Sequence, residues 1–284
     1  MNLDLFGNEI IKDEILRDRF IEPPFSVLDT KSGNWQRRKK LWITKGIKSE
    51  VGRDSKVINM GTTSVEKNST EYISVFDPAL CEVLYNWFCI PGGTILDPFA
   101  GGSVRGIVAN YLGYKYTGVD IRQEQIDSNR EQALDILPID NQPQWYVCDS
   151  NIILNDTWET IFDMVFSCPP YADLEIYSDL PGDISNKPYK QFLELYESII
   201  EKSCKLLKVG GYACFVVGEV RDSKGNYIGF VPDTIKAFQK CGMKFYNEGI
   251  LLNTIASASM RANGNMKSQK LVKVHQNILV FKKS

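Results

Sequence analysis

The sequence predicts an α/β fold with a seven-stranded, mostly parallel sheet that is covered by helices on both faces. The apolar run at residues 94–96 is too short for a helix, ends in a glycine turn and is followed by apolar residues at helical spacing. Strand-like and helix-like segments then alternate along the chain, which is typical of parallel sheets. Two strand-like segments near the end predict a terminal antiparallel pair.

The individual elements follow from capping residues and apolar spacing. A helix is predicted from Pro78, because Asp77 is a good N-cap and proline suits the first helical position. The strand at residues 94–96 comes next. Alternating or continuous apolar residues predict the other strands, of which the last has edge character, and helical spacing predicts the other helices. These strands are residues 114–121, 145–150, 162–167, 211–220, 244–252 and 277–282, and these helices are residues 123–137, 189–207 and 232–239.

Composition bounds the class of protein. The chain has 284 residues and 43% apolar content, enough for one domain with extensions. No run approaches the roughly 18 apolar residues of a membrane span, and the N-terminus lacks a signal pattern, so we expect a soluble, cytoplasmic protein without a membrane partner. The seven cysteines form no CxxC pair and the only histidine is His275. We therefore expect no metal site, reduced cysteines, and six of them in the core.

Positive charge is concentrated in two segments that contain no acid, although the net charge is −2. One covers residues 31–49 and the other residues 251–284, and both are candidates for phosphate contact, with a solvated surface as the alternative. Trp35 and Trp42 flank basic residues and could either stack on bases or pack this arm onto the core. The candidate nucleic-acid-binding residues are Trp35, Arg37, Arg38, Lys39, Lys40, Arg261, Lys267 and Lys270.

Two short motifs lie at predicted strand ends. The first, TILDPFAGGS at residues 94–103, joins a glycine turn and a helix N-terminus to a carboxylate, Asp97, which suits a cationic or hydroxyl-rich ligand. Asp120 ends the next strand about 20 residues later, where ribose hydroxyls are bound. Asp149 follows the third strand and is either a ligand or a helix N-cap. The second motif, residues 168–171, is CPPY after the fourth strand, where two prolines leave nearby carbonyls free to accept hydrogen bonds.

These motifs resemble motif I, DPFxGxG, and motif IV, [DNS]PP[YFW], of the S-adenosylmethionine-dependent amino-methyltransferases that act on nucleic-acid bases. The resemblance covers residues 62–284, with residues 1–61 as a separate basic and aromatic arm, and the overall pattern of the whole chain is similar to DNA methylases of phages and prophages. The sequence departs from the family pattern in three places. Ser103 replaces the last glycine, Arg105 follows it, and Cys168 stands where the family has an oxygen-bearing side chain.

The resemblance implies a Rossmann-like methyltransferase fold, S-adenosylmethionine as cofactor, and methylation of an exocyclic amino group, adenine N6 or cytosine N4, in DNA. It also implies base flipping onto Tyr171 and a candidate DNA-contacting loop at residues 257–273, with a further substrate-side loop at residues 172–188. By the same resemblance, the catalytic residues are Ser167, Cys168, Pro169, Pro170 and Tyr171, and the cofactor-binding residues are Phe76, Asp97, Pro98, Phe99, Gly101, Gly102, Asp120 and Asp149.

Three alternatives remain open at this point. The same motif pair occurs in methylases of RNA guanine and of protein glutamine, so RNA or an amide is a possible substrate. Cys168 could instead attack carbon 6 of a pyrimidine for modification at carbon 5, since thiolates serve that chemistry. The motif departures also fit a binding module that has kept the fold and lost turnover.

Overall fold

One sheet of eight strands organises the chain. The computed structural model describes residues 21–48, 76–155, 158, 162–171, 180, 182–253 and, apart from the side chains of residues 260 and 261, 258–284. The strands are β1 (Val27–Asp29), β2 (Thr94–Asp97), β3 (Lys115–Asp120), β4 (Gln144–Val147), β5 (Phe162–Ser167), β6 (Leu207–Val217), β7 (Lys244–Leu252) and β8 (His275–Lys282). Their spatial order is β1-β7-β8-β6-β5-β2-β3-β4. Only β8 runs antiparallel to its neighbours, so the predicted α/β fold is confirmed.

Helices connect the strands. They are α1 (Gly33–Thr44), α2 (Pro78–Phe88), α3 (Val104–Tyr111), α4 (Gln123–Ile136), α5 (Ser150–Ile153), α6 (Tyr189–Leu206), α7 (Phe230–Lys240) and α8 (Ala258–Lys267). The Asp77 side chain accepts a hydrogen bond from the backbone N–H of Ala79 and caps α2, with Pro78 at the first helical position. This helix therefore begins where its capping residues predicted.

The sheet has one strand more than the seven predicted. The additional strand is β1, which belongs to the predicted N-terminal arm and pairs in parallel with β7, Val27 opposite Ile250. Trp35 and Trp42 of α1 are buried against the domain. The described part of the arm thus packs onto the core, which is one of the two alternatives that the sequence left open.

The last strand was predicted from its sequence to be an edge strand, but it lies inside the sheet. Strand β8 lies between β6 and β7, and its residues 278–281 are buried as a continuous apolar run. Such a run is typical of a strand covered on both faces, whereas an edge strand exposes one side. The segment before it also differs from the prediction, because most of the candidate loop 257–273 is the helix α8. Residues 254–257 lie outside the described residues, as does 172–179 of the predicted substrate-side loop.

The crevice of the fold opens beside β2. Strand β2 pairs with β3 on one side and β5 on the other, so the chain reverses its winding direction between β2 and β5. In open parallel sheets, ligands bind at this point, outside the carboxyl ends of the strands. Two apolar clusters cover the two faces of the sheet.

Four cysteines are buried and three, at 148, 168 and 241, are half-buried, so the core holds fewer than the six expected. Within the described part of the chain, none of the helices combines the length and the hydropathy of a membrane span. The same residues contain no group of three potential metal ligands.

Candidate active site

The glycine turn after β2 is held from below by polar side chains. Gly101 has a left-handed backbone, with φ of +51°, which favours glycine. Its N–H donates to Asp120 Oδ2 at 2.9 Å, and its carbonyl accepts from Asn129 Nδ2 at 2.7 Å. The turn is therefore fixed through both its backbone groups, while Gly101 and Gly102 are only half-buried.

A ladder of buried amides on α4 supplies that support. Gln125, Asn129 and Gln132 are almost completely buried and lie on one helix face, at spacings of four and three residues. Gln125 Nε2 donates to Asn129 Oδ1 at 3.0 Å, and Ser103 Oγ donates to Gln132 Oε1 at 2.7 Å. The sequence analysis missed these residues, although their helical spacing was a readable signal.

Asp97 is placed differently from its predicted role as a cofactor ligand. Its carboxylate is completely buried and accepts four hydrogen bonds. Oδ1 accepts from the Phe99 N–H at 3.1 Å and from Ser167 Oγ at 2.5 Å, and Oδ2 accepts from Tyr116 Oη at 2.7 Å and Arg105 Nε at 2.5 Å. A carboxylate with this set has no free side for a ligand. Asp97 instead links the two motifs by hydrogen bonds on their buried side.

Arg105 is the counter-ion of Asp97 and closes the turn from inside. Its Nη2 donates to the carbonyls of Phe99 and Ala100, both at 2.7 Å. Its guanidinium also lies over the Phe76 ring, 4.7 Å from the ring centroid. Burial is the largest single influence and lowers the pKa of Arg105, but the charges of Asp97, Tyr116 and Cys168 and the hydrogen bond to Asp97 together outweigh it, so the pKa is raised. The residue that departs from the family pattern is thus fully charged and bonded to the motif backbone.

Ser167 is likewise a support and not a contact residue. Its side chain is completely buried and its hydroxyl donates to Asp97, so it cannot reach a substrate in the crevice. This corrects its predicted catalytic role. Cys168, the next residue, is half-buried and is followed by half-buried Pro170 and Tyr171. The residues that can face a substrate therefore begin at position 168.

Tyr171 is oriented by three elements. Gln276 Nε2, at the start of β8, donates to Tyr171 Oη at 2.8 Å. The ring packs edge-on against Phe230, with centroids 6.0 Å apart and planes at 84°. A Cβ at Gly218 would lie 3.6 Å from the Tyr171 ring, so the backbone at Gly218 lies directly beside this ring. Gln276 was not identified from the sequence, because its contact depends on the pairing of β8 with β6.

Asp120 and Asp149 line the opposite side of the crevice. Asp120 is half-buried at the end of β3, and burial raises the pKa of its carboxyl group while nearby Arg122 lowers it. Asp149 Oδ1 accepts from the Asn151 N–H at 2.8 Å and caps α5, which is the alternative role that the sequence left open. A Cβ at Gly182 would lie 3.0 Å from Asp149 Oδ2, so the segment after CPPY passes close over this carboxylate.

These residues fit the adenosine part of S-adenosylmethionine. Ribose hydroxyls that donate to Asp120 would offset the cost of burying its charge. Phe99 is half-buried at the crevice and packs on Tyr196, and the buried Pro98 is anchored because its carbonyl accepts from Ser150 Oγ at 2.7 Å. The predicted cofactor residues other than Phe76 thus lie at or just after the carboxyl ends of β2, β3 and β4, where Asp97 is buried.

The predicted nucleic-acid-binding residues divide into two groups. Arg37 and Lys40 are exposed on α1, whereas Arg38 and Lys39 pair with Glu82 and Asp77 of α2 at 3.6 and 3.4 Å. Trp35 is 1% exposed and its Nε1 donates to Asp77 Oδ2 at 3.0 Å, so its ring is not available to a base, which corrects that prediction. In the second basic segment, Lys267 is exposed and Lys270 is half-buried, while the side chain of Arg261 lies outside the described residues.

Residues 13–131 match a family model described as DNA methylase. The resemblance to DNA methylases is confirmed. The matched segment contains the glycine turn after β2 and Asp120. The match begins at residue 13, so similarity to the family reaches into the region that the sequence analysis treated as a separate arm.

A search of curated proteins finds no match to this chain. Among solved structures it is similar to TrmN from Thermus thermophilus, at 15% identity and a TM-score of 0.48, over 73% of this chain and 49% of TrmN. The chain thus spans about half the length of TrmN. It is also similar to precorrin-6y C5,15-methyltransferase from Geobacter metallireducens GS-15, at 13% identity and a TM-score of 0.48, over 83% of this chain and 98% of that one.

Proposed function

We propose that this protein is a methyltransferase that transfers the methyl group of S-adenosylmethionine to an exocyclic amino group in DNA, adenine N6 or cytosine N4. The observation that carries the proposal is the junction of the two motifs. Asp97 of the glycine turn and Ser167, directly before CPPY, are bonded at 2.5 Å, although they are 70 residues apart in sequence. A base beside Tyr171 therefore lies next to the crevice that suits the cofactor.

The chemistry requires positioning more than acid or base groups. An exocyclic amine is a poor nucleophile because its lone pair is delocalised into the ring. The cofactor supplies an electrophilic methyl group on a sulfonium. The Pro169 carbonyl can accept a hydrogen bond from the amine, which localises the lone pair, and Tyr171 can stack on the base that has been flipped out of the duplex. The proton that the nitrogen loses on methylation is released to solvent, so no described side chain needs to change its protonation state.

DNA as the substrate is supported by where the basic segments leave the sheet. Strands β1 and β7 run parallel to the central strands. The helix α1, which follows β1, therefore begins at the carboxyl edge of the sheet, and the segment between β7 and β8 lies at the same edge. This is the edge of both motifs. Cations grouped beside the crevice are suited to the phosphates of a nucleic acid.

The first experiment is incubation with methyl-labelled S-adenosylmethionine and unmodified DNA, RNA or protein, followed by nucleoside or amino-acid analysis. We expect label in N6-methyladenine or N4-methylcytosine from DNA. Label only in RNA or in protein glutamine would transfer the proposal to those substrates. Binding of cofactor and DNA without any transfer would instead identify a binding module that has lost turnover.

A second candidate, modification of pyrimidine carbon 5, is favoured by the half-buried thiol of Cys168 beside the crevice. The two reactions make opposite predictions for Cys168→Ser. On the amino route, serine provides a better hydrogen-bond acceptor and activity is kept or raised. On the carbon 5 route, serine is a far weaker nucleophile and activity is nearly lost. A dead serine variant together with a covalent adduct on DNA containing 5-fluorocytosine or 5-fluorouracil would overturn the amino route.

A further inference from the structure

A hairpin beside Tyr171 has features of a ligand-binding surface that neither motif explains. It covers residues 220–228 between β6 and α7, and we call it the 220–228 hairpin. Arg221 and Tyr227 form an antiparallel bridge, and the N–H of Ile228 donates to the Val220 carbonyl at 3.0 Å. Its first residue lies two positions after Gly218, which lies directly beside the Tyr171 ring. The hairpin therefore begins close to Tyr171.

Two cations from different parts of the chain converge on Gly225 of this hairpin. Arg221 Nη1 donates to the Gly225 carbonyl at 2.7 Å. Lys270 lies against the Cα of the same glycine, since a Cβ there would be only 2.0 Å from Lys270 Nζ. Gly225 also has φ of +89°, so both its backbone and its contact with Lys270 require glycine. The fold thus holds the positive charges of Arg221 and Lys270 close together, and their repulsion is unfavourable unless an anion binds between them.

The acidic residues within and directly before the hairpin, Asp222 and Glu219, accept hydrogen bonds from backbone N–H groups. Asp222 accepts the N–H of Asn226 at 2.8 Å, and backbone hydrogen bonds, led by this one, lower the pKa of its carboxyl group. Glu219 accepts the N–H groups of Gly229 and Phe230 at 3.0 and 2.8 Å, at the N-terminus of α7. Lys224 is exposed and adds a further positive charge. The hairpin together with Lys270 therefore keeps an excess of positive charge.

An exposed aromatic ring accompanies the cations. The Arg221 guanidinium lies over the ring of Tyr227, 3.9 Å from its centroid. Tyr227 is 50% exposed, so part of its ring remains open to solvent although its orientation is held by Arg221. A fixed aromatic ring among cations is the arrangement that single-stranded or unpaired nucleic acid uses for stacking and phosphate contact.

We infer that the 220–228 hairpin, together with Lys270, binds the DNA strand near the flipped base, with Arg221 and Lys270 on a phosphate and Tyr227 stacked on an adjacent base or sugar. This inference rests on the proposed DNA substrate and adds a contact surface to it. It also gives Lys270 a defined place beside the candidate active site.

The test measures binding of a fluorescein-labelled DNA duplex by anisotropy over a range of salt concentrations. Arg221→Ala and Lys270→Ala should each lower the slope of log Kd against log salt by about one, because one phosphate contact is lost. Tyr227→Ala should weaken binding about tenfold or more while the slope stays unchanged, since stacking releases no counterions. Arg221→Lys should keep the slope, which separates loss of charge from loss of the hairpin.

The matched control is Lys244→Ala, which removes an exposed cation at the start of β7, on the opposite edge of the sheet. It should leave affinity and slope unchanged. If the Arg221, Lys270 and Tyr227 variants behave like this control while the native enzyme methylates DNA, the hairpin inference is wrong and the proposed function stands. If the native enzyme transfers no methyl group to DNA, the proposed function itself fails.

Discussion

At the scale of single residues, the site is organised by a buried ion pair beneath the glycine turn. Arg105 and Asp97 are both almost completely buried and lie 2.5 Å apart. Removing one partner of a buried pair leaves an uncompensated charge, which costs more than the pair itself contributes. Arg105, which departs from the family pattern, and Asp97 therefore depend on each other, because each neutralises the buried charge of the other.

We predict that Arg105→Met lowers the free energy of unfolding by about 3–5 kcal/mol, because Asp97 would lose its counter-ion and the Phe99 and Ala100 carbonyls would lose a donor. The double variant Asp97→Asn/Arg105→Met should recover part of that loss, since no buried charge remains. Urea unfolding of the native protein, Arg105→Met and the double variant measures both effects. A double variant no more stable than Arg105→Met would contradict this account.

Ser167 provides a second prediction at this scale, because its only assigned contact is with Asp97. Ser167→Ala should reduce kcat by tenfold or more while the affinity for S-adenosylmethionine changes less than threefold. The reason is that CPPY would lose its attachment to the glycine turn, whereas the residues around the crevice for the cofactor are retained. Calorimetry and steady-state kinetics separate the two quantities, and an equal loss in both would show that the serine acts on the cofactor site.

At the scale of elements, β2 and β5 are joined at both ends by aspartates. At the carboxyl end the bond is Asp97 to Ser167. At the amino end Asp163 Oδ2 accepts from the N–H and the hydroxyl of Thr94, both at 2.9 Å, and Oδ1 accepts from Lys208 Nζ at 2.9 Å. These contacts fix the alignment of the two strands that carry the motifs, so the two motifs keep a fixed position relative to each other along the strand direction.

The Asp163 contacts predict a pH effect. Burial raises the pKa of Asp163, but the hydrogen bonds from Thr94 and Lys208 outweigh burial and hold it below its ordinary value. Its stabilisation is therefore present at neutral pH and is lost as pH falls below about 4, through the lowered pKa. Asp163→Asn should cost about 1–3 kcal/mol at pH 7 and less at pH 3.

The control for this measurement is Asp127→Asn, because Asp127 forms an exposed i,i+3 pair with Arg130 on α4. An exposed pair contributes about 0–1 kcal/mol at any of these pH values. Thermal or urea unfolding at the two pH values gives the comparison. Equal behaviour of the two variants would show that the amino-end contact between β2 and β5 does not stabilise the sheet.

At the scale of the whole molecule, the basic residues of α1 form two groups that the charge pattern alone could not separate. Arg38 and Lys39 face α2 and pair with its acids, whereas Arg37 and Lys40 face solvent near the carboxyl edge. We predict that Arg37→Ala/Lys40→Ala flattens the salt dependence of DNA binding by about two in log–log slope. Arg38→Ala/Lys39→Ala carries the same change in net charge and should alter the slope less and the stability more.

Most of the helices and strands after residue 77 were predictable because local signals and the fold agree there, whereas β1, α1 and α8 were not predicted. Asp77 and Pro78 begin α2, short apolar runs mark β2 and β5, and glycine and proline end them. The place of the site at the carboxyl ends of β2 and β5 followed from the same signals. The motif residues that approach the crevice were thus identified before any contact was known.

The roles within the site depended on tertiary contacts. Asp97, Ser167 and Trp35 belong to residue types that bind ligands, but all three are buried and bonded to residues far away in sequence. Strand β8 is central only because β7 pairs on its outer side, and this pairing also brings Gln276 to Tyr171. A sequence encodes which groups can form hydrogen bonds, while the folded chain decides which partners satisfy them, because burial removes water as the competing partner.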